Sequence, residues 1–538
     1  MKPTALFRAF RNIARAGAAA AAISVALPMV AAPALAEMVW NRGNSADVES
    51  LDPHKTSTVY EAHILRDLFE GLVMQDAESD LIPGAAESWT ISDDGTVYVF
   101  KIRDDAVWSN GDPVTADDFV YSFRRLLDPA TGAEYASMLY VVKGGEAANS
   151  GEGPVDGIGV RALGPKSLEV TLAAATPYFL EMLTHQAAYP VNPKAVEQLG
   201  DDWVKPGNMV SNGAFTLLEH IPNDHITVVR NPSFHGAADV KLDKVVFWPT
   251  EDRSTAMKRF EAGELDSNDD FPAEQYADLQ AKFGDQLKVG PYLGTYYYTM
   301  KWDKAPWDNV ELRNAISMAI DRDFLAEKVW AGTMIPAYGM VPPGIEGYDS
   351  YVAPYAGMSQ LDREDAAAEI LQSLGYGPDN PLPLEIRYNT SENHKNTAIA
   401  IQEQLKPLGI EVTMVNTDTA SHYAFLENKG DYDLARAGWI ADYKDPESFL
   451  GISVSTSGNN YSVYTSDAFD AKMREAAAAG GDPAERMRLM AEAEKILVDE
   501  LGNVPLLFYS YHNIVSPRVN GWVANVMDVH PSRFVSIE

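Results

Sequence analysis

The chain has 538 residues, with 77 acidic against 43 basic side chains, a formal net charge of −34 and no cysteine. A surface this acidic repels phosphate backbones and anionic headgroups at long range, which argues against nucleic-acid binding. The lack of cysteine excludes a disulfide framework, thiol catalysis and the acylated N-terminal cysteine of a lipoprotein.

At the N-terminus, Lys2, Arg8, Arg11 and Arg15 precede an alanine-rich apolar stretch from Ala16 to Ala32, which closes with Ala34, Leu35 and Ala36. A basic leader, a short apolar middle and small residues before a cut form the pattern of a secretory signal peptide. It predicts a leader over 1–36, cleaved before Glu37. Ser24 and Pro28 interrupt the run, which falls short of the ~20 residues that span a bilayer, so no membrane insertion is expected. An exported, unanchored chain is expected in a periplasm or outside the cell.

The remaining length suggests roughly three domains and an ample core. From Thr96 to Arg103 the residues alternate, with Tyr98, Phe100 and Ile102 on one face, which predicts a strand. Thr115 then caps a predicted helix with Asp117 and Asp118 in its first turn, an apolar side of Phe119, Val120, Phe123, Leu126 and Leu127, and Arg124 and Arg125 near its end. Leu312, Ala315, Ile316, Ala319 and Ile320 give a second apolar stripe, whose charged neighbours Glu311, Arg313 and Asp321 are expected to be solvated. A strand from Leu384 to Tyr388, a helix from about His394 to Leu408 and a strand from Ile410 to Val415 form a predicted βαβ unit. A further strand, Asp433 to Trp439, runs into the loop Ile440 to Tyr443, where Asp442 sits at a strand's carboxyl end, a usual place for a binding residue.

Chemistry-bearing motifs are scarce. The chain has no G-x-S-x-G elbow, no H-E-x-x-H zinc motif, no Walker-type loop and no G-x-G-x-x-G fingerprint. No catalytic residue, metal or cofactor is therefore expected. His220, His225 and His235 cluster loosely at spacings that suit no standard metal site. Paired carboxylates such as Asp117 with Asp118 and Asp269 with Asp270 arise by chance in so acidic a chain. Aromatic density is more distinctive: Tyr292, Tyr296, Tyr297, Tyr298 and Trp302 cluster, as do Phe508, Tyr509 and Tyr511. Such side chains suit either a core or a pocket that accepts varied ligands.

Seven runs stand in order along the chain: Ser50 to Lys55 (SLDPHK), Arg66 to Leu72 (RDLFEGL), Trp108 to Asp118 (WSNGDPVTADD), Asn208 to Phe215, Tyr292 to Tyr298, Lys304 to Pro306, and Ala435 to Tyr443 (ARAGWIADY). Together they resemble the periplasmic oligopeptide-binding proteins, the solute-binding subunits of peptide ABC importers. The resemblance implies an α/β, two-lobed periplasmic-binding-protein fold with three domains and a hinge, the ligand enclosed between lobes. It further implies a discontinuous first domain of 37–69, 193–293 and 510–538, a second of 70–192 and a third of 294–509. The implied function is capture of short peptides by a monomer that docks transiently on a membrane permease.

Residue by residue, the resemblance implies that Asp442 receives a ligand ammonium and that Val59, Tyr135, Gly438 and Trp439 line the same end of the cleft. Arg436, His394 and Lys304 would be cations for the ligand carboxylate. Tyr292, Tyr297, Asp269, Asp270, His422 and Tyr509 are further candidates, the two acids suggesting a taste for basic ligand side chains. Some relatives carry a cysteine pair where Gly294 and Ile440 stand here, so a local clamp is missing. Rival expectations are a binder of dipeptides, murein peptide or a nickel chelate, a periplasmic peptidase, and a holdase-type chaperone.

Overall fold

The computed structural model describes residues 37–56 and 58–538, so the expected leader over 1–36 lies outside the described residues. The predicted alternating strand is Val97–Ile102, with Tyr98, Phe100 and Ile102 buried. It pairs with Ala86–Ile91 and Ser167–Thr171 in a four-stranded antiparallel sheet completed by Val160–Gly164. Against this sheet packs the helix Ala116–Leu127, whose predicted apolar side is buried throughout. The Asp118 carboxylate closes its first turn, accepting from the Thr115 backbone N–H at 2.8 Å and the Trp108 indole N–H at 3.2 Å.

Among the described residues the main sheet has 11 strands. At one end lies the predicted βαβ unit: Leu382–Asn389 runs parallel to Ile410–Thr417, and the helix Glu392–Leu405 connects them. Leu434–Ile440 follows, parallel to Leu382–Asn389 and antiparallel to the long strand Leu287–Met300. Leu287–Met300 pairs in turn with Val504–Val515, and the register shifts between Pro291 and Thr295. Beyond them stand Ser267–Asn268, Val39–Asn44, Lys244–Pro249, His225–Arg230 and Phe215–Ile221.

The core is divided. One cluster draws on Trp40 through Phe247 and on the C-terminal Val515, Val519, Val535 and Ile537, and a single residue, Tyr443, joins it from the remaining stretch. The other large clusters are built from 293–529. The chain therefore packs as two lobes of mixed α/β structure, and the long strand Val504–Val515 contributes to both sides.

One expectation about charge fails. Arg313, on the helix Val310–Ala319, is not solvated but 1% exposed. Its guanidinium donates to the Trp307 carbonyl at 2.6 Å and the Glu500 carbonyl at 2.8 Å and lies over the Trp302 ring. Carbonyl acceptors and a π-face compensate the charge where no water reaches it.

Candidate functional site

A cavity of about 860 Å³ opens between the two lobes, with walls drawn from segments throughout the chain. The helix Val59–Leu68 presents Val59, Ala62, His63 and Arg66 to it, the stripe that 3.6-residue periodicity places on one face. Tyr135, Tyr292, His394, Arg436, Gly438, Trp439, Asp442, Tyr509, Asp269 and Asp270 also line it. The structure thus brings together eleven of the sequence-derived candidates, Val59 included.

Three candidates lie elsewhere. Lys304 forms ion pairs with Asp431 and Asp433, both at 2.9 Å, and does not reach the cavity. Tyr297 is a core residue, 1% exposed, because alternation along Leu287–Met300 turns it away from its neighbours Tyr296 and Tyr298. His422 is fully buried behind the wall, where its Nε2 donates to the Arg436 carbonyl at 2.8 Å. Lys304 and His422 spend their polar groups on the protein, and Tyr297 packs in the core.

Asp442 follows the carboxyl end of Leu434–Ile440 and its backbone N–H donates to the Ser448 hydroxyl at 3.2 Å. The same hydroxyl accepts from the Trp439 indole N–H at 3.3 Å, which fixes both groups at one end of the cavity. Burial pushes the Asp442 carboxyl up to about 7, against the hydrogen bond it receives from Tyr135. The Tyr135 hydroxyl is raised in turn, first by the Asp442 charge and then by burial.

Arg436 sits four residues before Ile440 on the same strand and is buried. Its guanidinium donates to Asn389 Oδ1 at 3.2 Å, to the Tyr423 hydroxyl at 2.7 Å and to the Tyr509 hydroxyl at 2.6 Å, and it lies over the Tyr296 ring. All of these acceptors are neutral, and Nε has no hydrogen-bond partner. The strand permits this because residue 438 is glycine: a Cβ there would stand 2.7 Å from the Tyr509 hydroxyl and 3.1 Å from Arg436 Nη2.

His394 is in the wall but is not a cation. Burial first, then the Arg436 charge, push its imidazole down to about 2, and Nδ1 meets the Tyr296 hydroxyl at 3.3 Å. Asp269 and Asp270 are raised by burial to about 7 and about 6. Asp270 pairs with Arg253 at 2.7 Å, and Asp269 meets the Ser45 hydroxyl at 3.3 Å and His63 Nδ1 at 3.6 Å. Gly294 and Ile440 are direct cross-strand partners, and the isoleucine side chain fills the space over the glycine.

Sequence reasoning passed over Arg66, His63, Tyr423, Arg253 and Asp528, all in the wall. The spacing of Val59, Ala62, His63 and Arg66 is a usable signal for the first two. Arg253 starts a helix, Tyr423 sits within the short helix Thr419–Glu427 and Asp528 lies in a loop, and no periodicity marks them. The three loosely clustered histidines separate: His220 lies 3.7 Å from Asp47, His225 between Asp224 and Glu219, and His235 3.0 Å from Glu70. Among the described residues no group of His, Cys, Asp and Glu is arranged to hold a metal ion, and no helix is long and apolar enough to cross a membrane.

The family model described as bacterial extracellular solute-binding proteins, family 5 Middle, matches residues 80–461. The chain is 38% identical over 521 residues to the periplasmic oligopeptide-binding protein OppA of Escherichia coli, with 95% of each protein covered. It is similar to the solved structure of the Escherichia coli murein tripeptide-binding protein MppA, with a TM-score of 0.84, 35% identity and 94% and 99% of the two chains covered. It is also similar to Haemophilus influenzae OppA in complex with RPPGFSPFR, with a TM-score of 0.82, 37% identity and 93% and 99% coverage. With two thirds of its length inside the family model and nearly all of it aligned to these relatives, the chain belongs to the family 5 bacterial extracellular solute-binding proteins.

Proposed function

We propose that the chain captures short peptides in the periplasm and presents them to the permease of an ABC importer, and that it does so as a monomer. The observation that carries this reading is the presence, in one cavity, of a carboxyl group at Asp442 and a buried guanidinium at Arg436 paired only with neutral groups. A zwitterionic peptide supplies the complement of both. Six residues separate the two groups along the chain, so at ~3.3 Å per strand residue they stand at most about 20 Å apart.

In this reading Asp442 accepts the α-ammonium, and Val59, Tyr135, Gly438 and Trp439 enclose that end. Arg436 takes the ligand carboxylate, with neutral His394 as an additional N–H donor. Backbone groups of the peptide pair with exposed strand edges, so affinity comes from atoms common to every sequence. Tolerant pockets at Tyr292, Tyr509, Asp269 and Asp270 then accommodate side chains through water.

The proposed segments 37–69, 193–293 and 510–538, then 70–192, then 294–509, place a hinge where the paired strands Leu287–Met300 and Val504–Val515 change register between Pro291 and Thr295, which supports that division. Closure around the ligand presents a composite face to the permease. The leader over 1–36 is removed before Glu37.

Native mass spectrometry of the exported protein, followed by denaturation and sequencing of released molecules, tests the reading. Intact peptides with free N-termini are expected. A ligand-free mass that stays unchanged after refolding in a mixed peptide pool overturns it.

A further inference from the structure

Arg66 is one of three arginines in the cavity wall, with Arg253 and Arg436, and the peptide reading leaves it without a role. It projects from the helix Val59–Leu68 one turn after His63. The neutral Tyr189 hydroxyl stands beside it, its buried Nε has no partner, and among the described residues no carboxylate is paired with it. Its charge is felt instead by neighbours that cannot neutralise it. Burial, then the Arg66 charge, push His185 down to about 3, and His63 is lowered by burial and by Arg42 and Arg66 together.

None of the acids of the cavity wall forms an ion pair with Arg66 among the described residues. Asp270 pairs with Arg253 at 2.7 Å, Asp528 with His530 at 2.9 Å and Asn513 at 2.7 Å, and Asp269 meets Ser45 and His63. Arg66 therefore stands in the wall without a paired carboxylate, which runs against the taste for basic side chains suggested by Asp269 and Asp270 in the sequence. A half-buried cation held among neutral groups gains most from an anion that the guest brings with it.

We propose that Arg66 forms a subsite for a carboxylate on a ligand side chain, so that the cavity selects peptides with an acidic residue near their N-terminal end. This rests on the peptide reading above. The placement follows from geometry: Arg66, His185, Tyr135 and Asp442 line the same cavity, and the Tyr135 ring stacks on His185 at 4.8 Å. The preference opposes the field of the whole molecule, whose net charge of −34 disfavours acidic guests, so it requires a local cation.

The test uses the purified protein and calorimetric titration with trialanine and with tripeptides of alanine carrying Glu or Gln at each position in turn. At one of the first two positions the Glu peptide is expected to bind at least about tenfold tighter than its Gln twin, a charge-assisted gain. In Arg66→Gln that ratio is expected to fall to about one, and Arg66→Lys to retain part of it, since a point charge replaces the fork. Trialanine binding with no Glu preference at any position in the wild-type protein overturns the subsite and leaves the peptide reading standing. A preference that survives in Arg66→Gln also overturns it. If no member of the panel binds, the peptide reading fails and the subsite with it. Should Arg66→Gln not fold, the wild-type ratios and Arg66→Lys still decide.

Discussion

The carboxyl group of Asp442 combines partial burial with a single hydroxyl donor, and its behaviour with pH follows from that. Burial raises it to about 7, so below that value the ligand-free site is protonated and must release a proton to hold an ammonium. Peptide affinity is therefore expected to fall as pH drops through 7, by at most about tenfold per unit, and to fall again above about 8 as the α-amino group loses its charge. Titrations in buffers of different ionisation enthalpy should detect proton release on binding near pH 6. Asp442→Asn is expected to cost about 3 kcal/mol of binding, because the guest's ammonium is then enclosed without a counter-charge. Affinity for free tripeptides that is flat from pH 5 to 8, or unchanged in Asp442→Asn, is incompatible with this role. Lys304 makes the opposite case: its charge is committed to Asp431 and Asp433, so Lys304→Ala is expected to change peptide affinity by less than about twofold in the same assay.

The loop and short helix after Leu434–Ile440 couple the binding end to the packing of the lobes. Asp445 forms a bidentate pair with Arg486 at 2.7 and 2.8 Å, both side chains buried, and the Arg486 guanidinium lies over the Tyr178 ring. Removing one partner strands the other charge away from water. Asp445→Ala is therefore expected to lower stability to urea by about 3–5 kcal/mol, with the midpoint falling at unchanged slope. A loss below about 1 kcal/mol would show that solvent reaches the pair. The glycine at 438 serves the same element by keeping the strand open to the Tyr509 and Arg436 side chains.

Across the whole molecule, Tyr443 links the two lobes through the core. It enters the core cluster that is otherwise built from Trp40 through Phe247 and the C-terminal strands, stacks on Tyr178 at 5.3 Å, and donates to Glu447. Lys444 reaches Asp80 at 3.0 Å beside it. These contacts adjoin Asp442, so they hold the lobes together at the end where the guest's ammonium is proposed to sit. Tyr443→Ala is expected to expand the ligand-free protein by roughly 1 Å in radius of gyration over the ~23 Å of a compact chain this size. X-ray scattering with and without peptide measures this, and identical ligand-free profiles for variant and wild type would remove Tyr443 from any role in closure.

Much of the architecture is legible in the order of residues alone, because it depends on neighbours a few positions apart. The alternation at Val97–Ile102, the cap at Thr115 and the strand–helix–strand order from Leu382 to Thr417 each follow from local sterics and burial periodicity. The position of Asp442 past a strand's carboxyl end is legible for the same reason. Charge state and facing are not. Arg436, Lys304 and His394 are equivalent as cations in the sequence, yet one is held among neutral acceptors, one is tied to two carboxylates outside the cavity and one is uncharged. Arg313 and Arg66 differ in the same way, one satisfied by carbonyls and one left facing the cavity. Desolvation and pairing depend on groups brought together from distant parts of the chain, so which charges remain available to a guest is settled by packing.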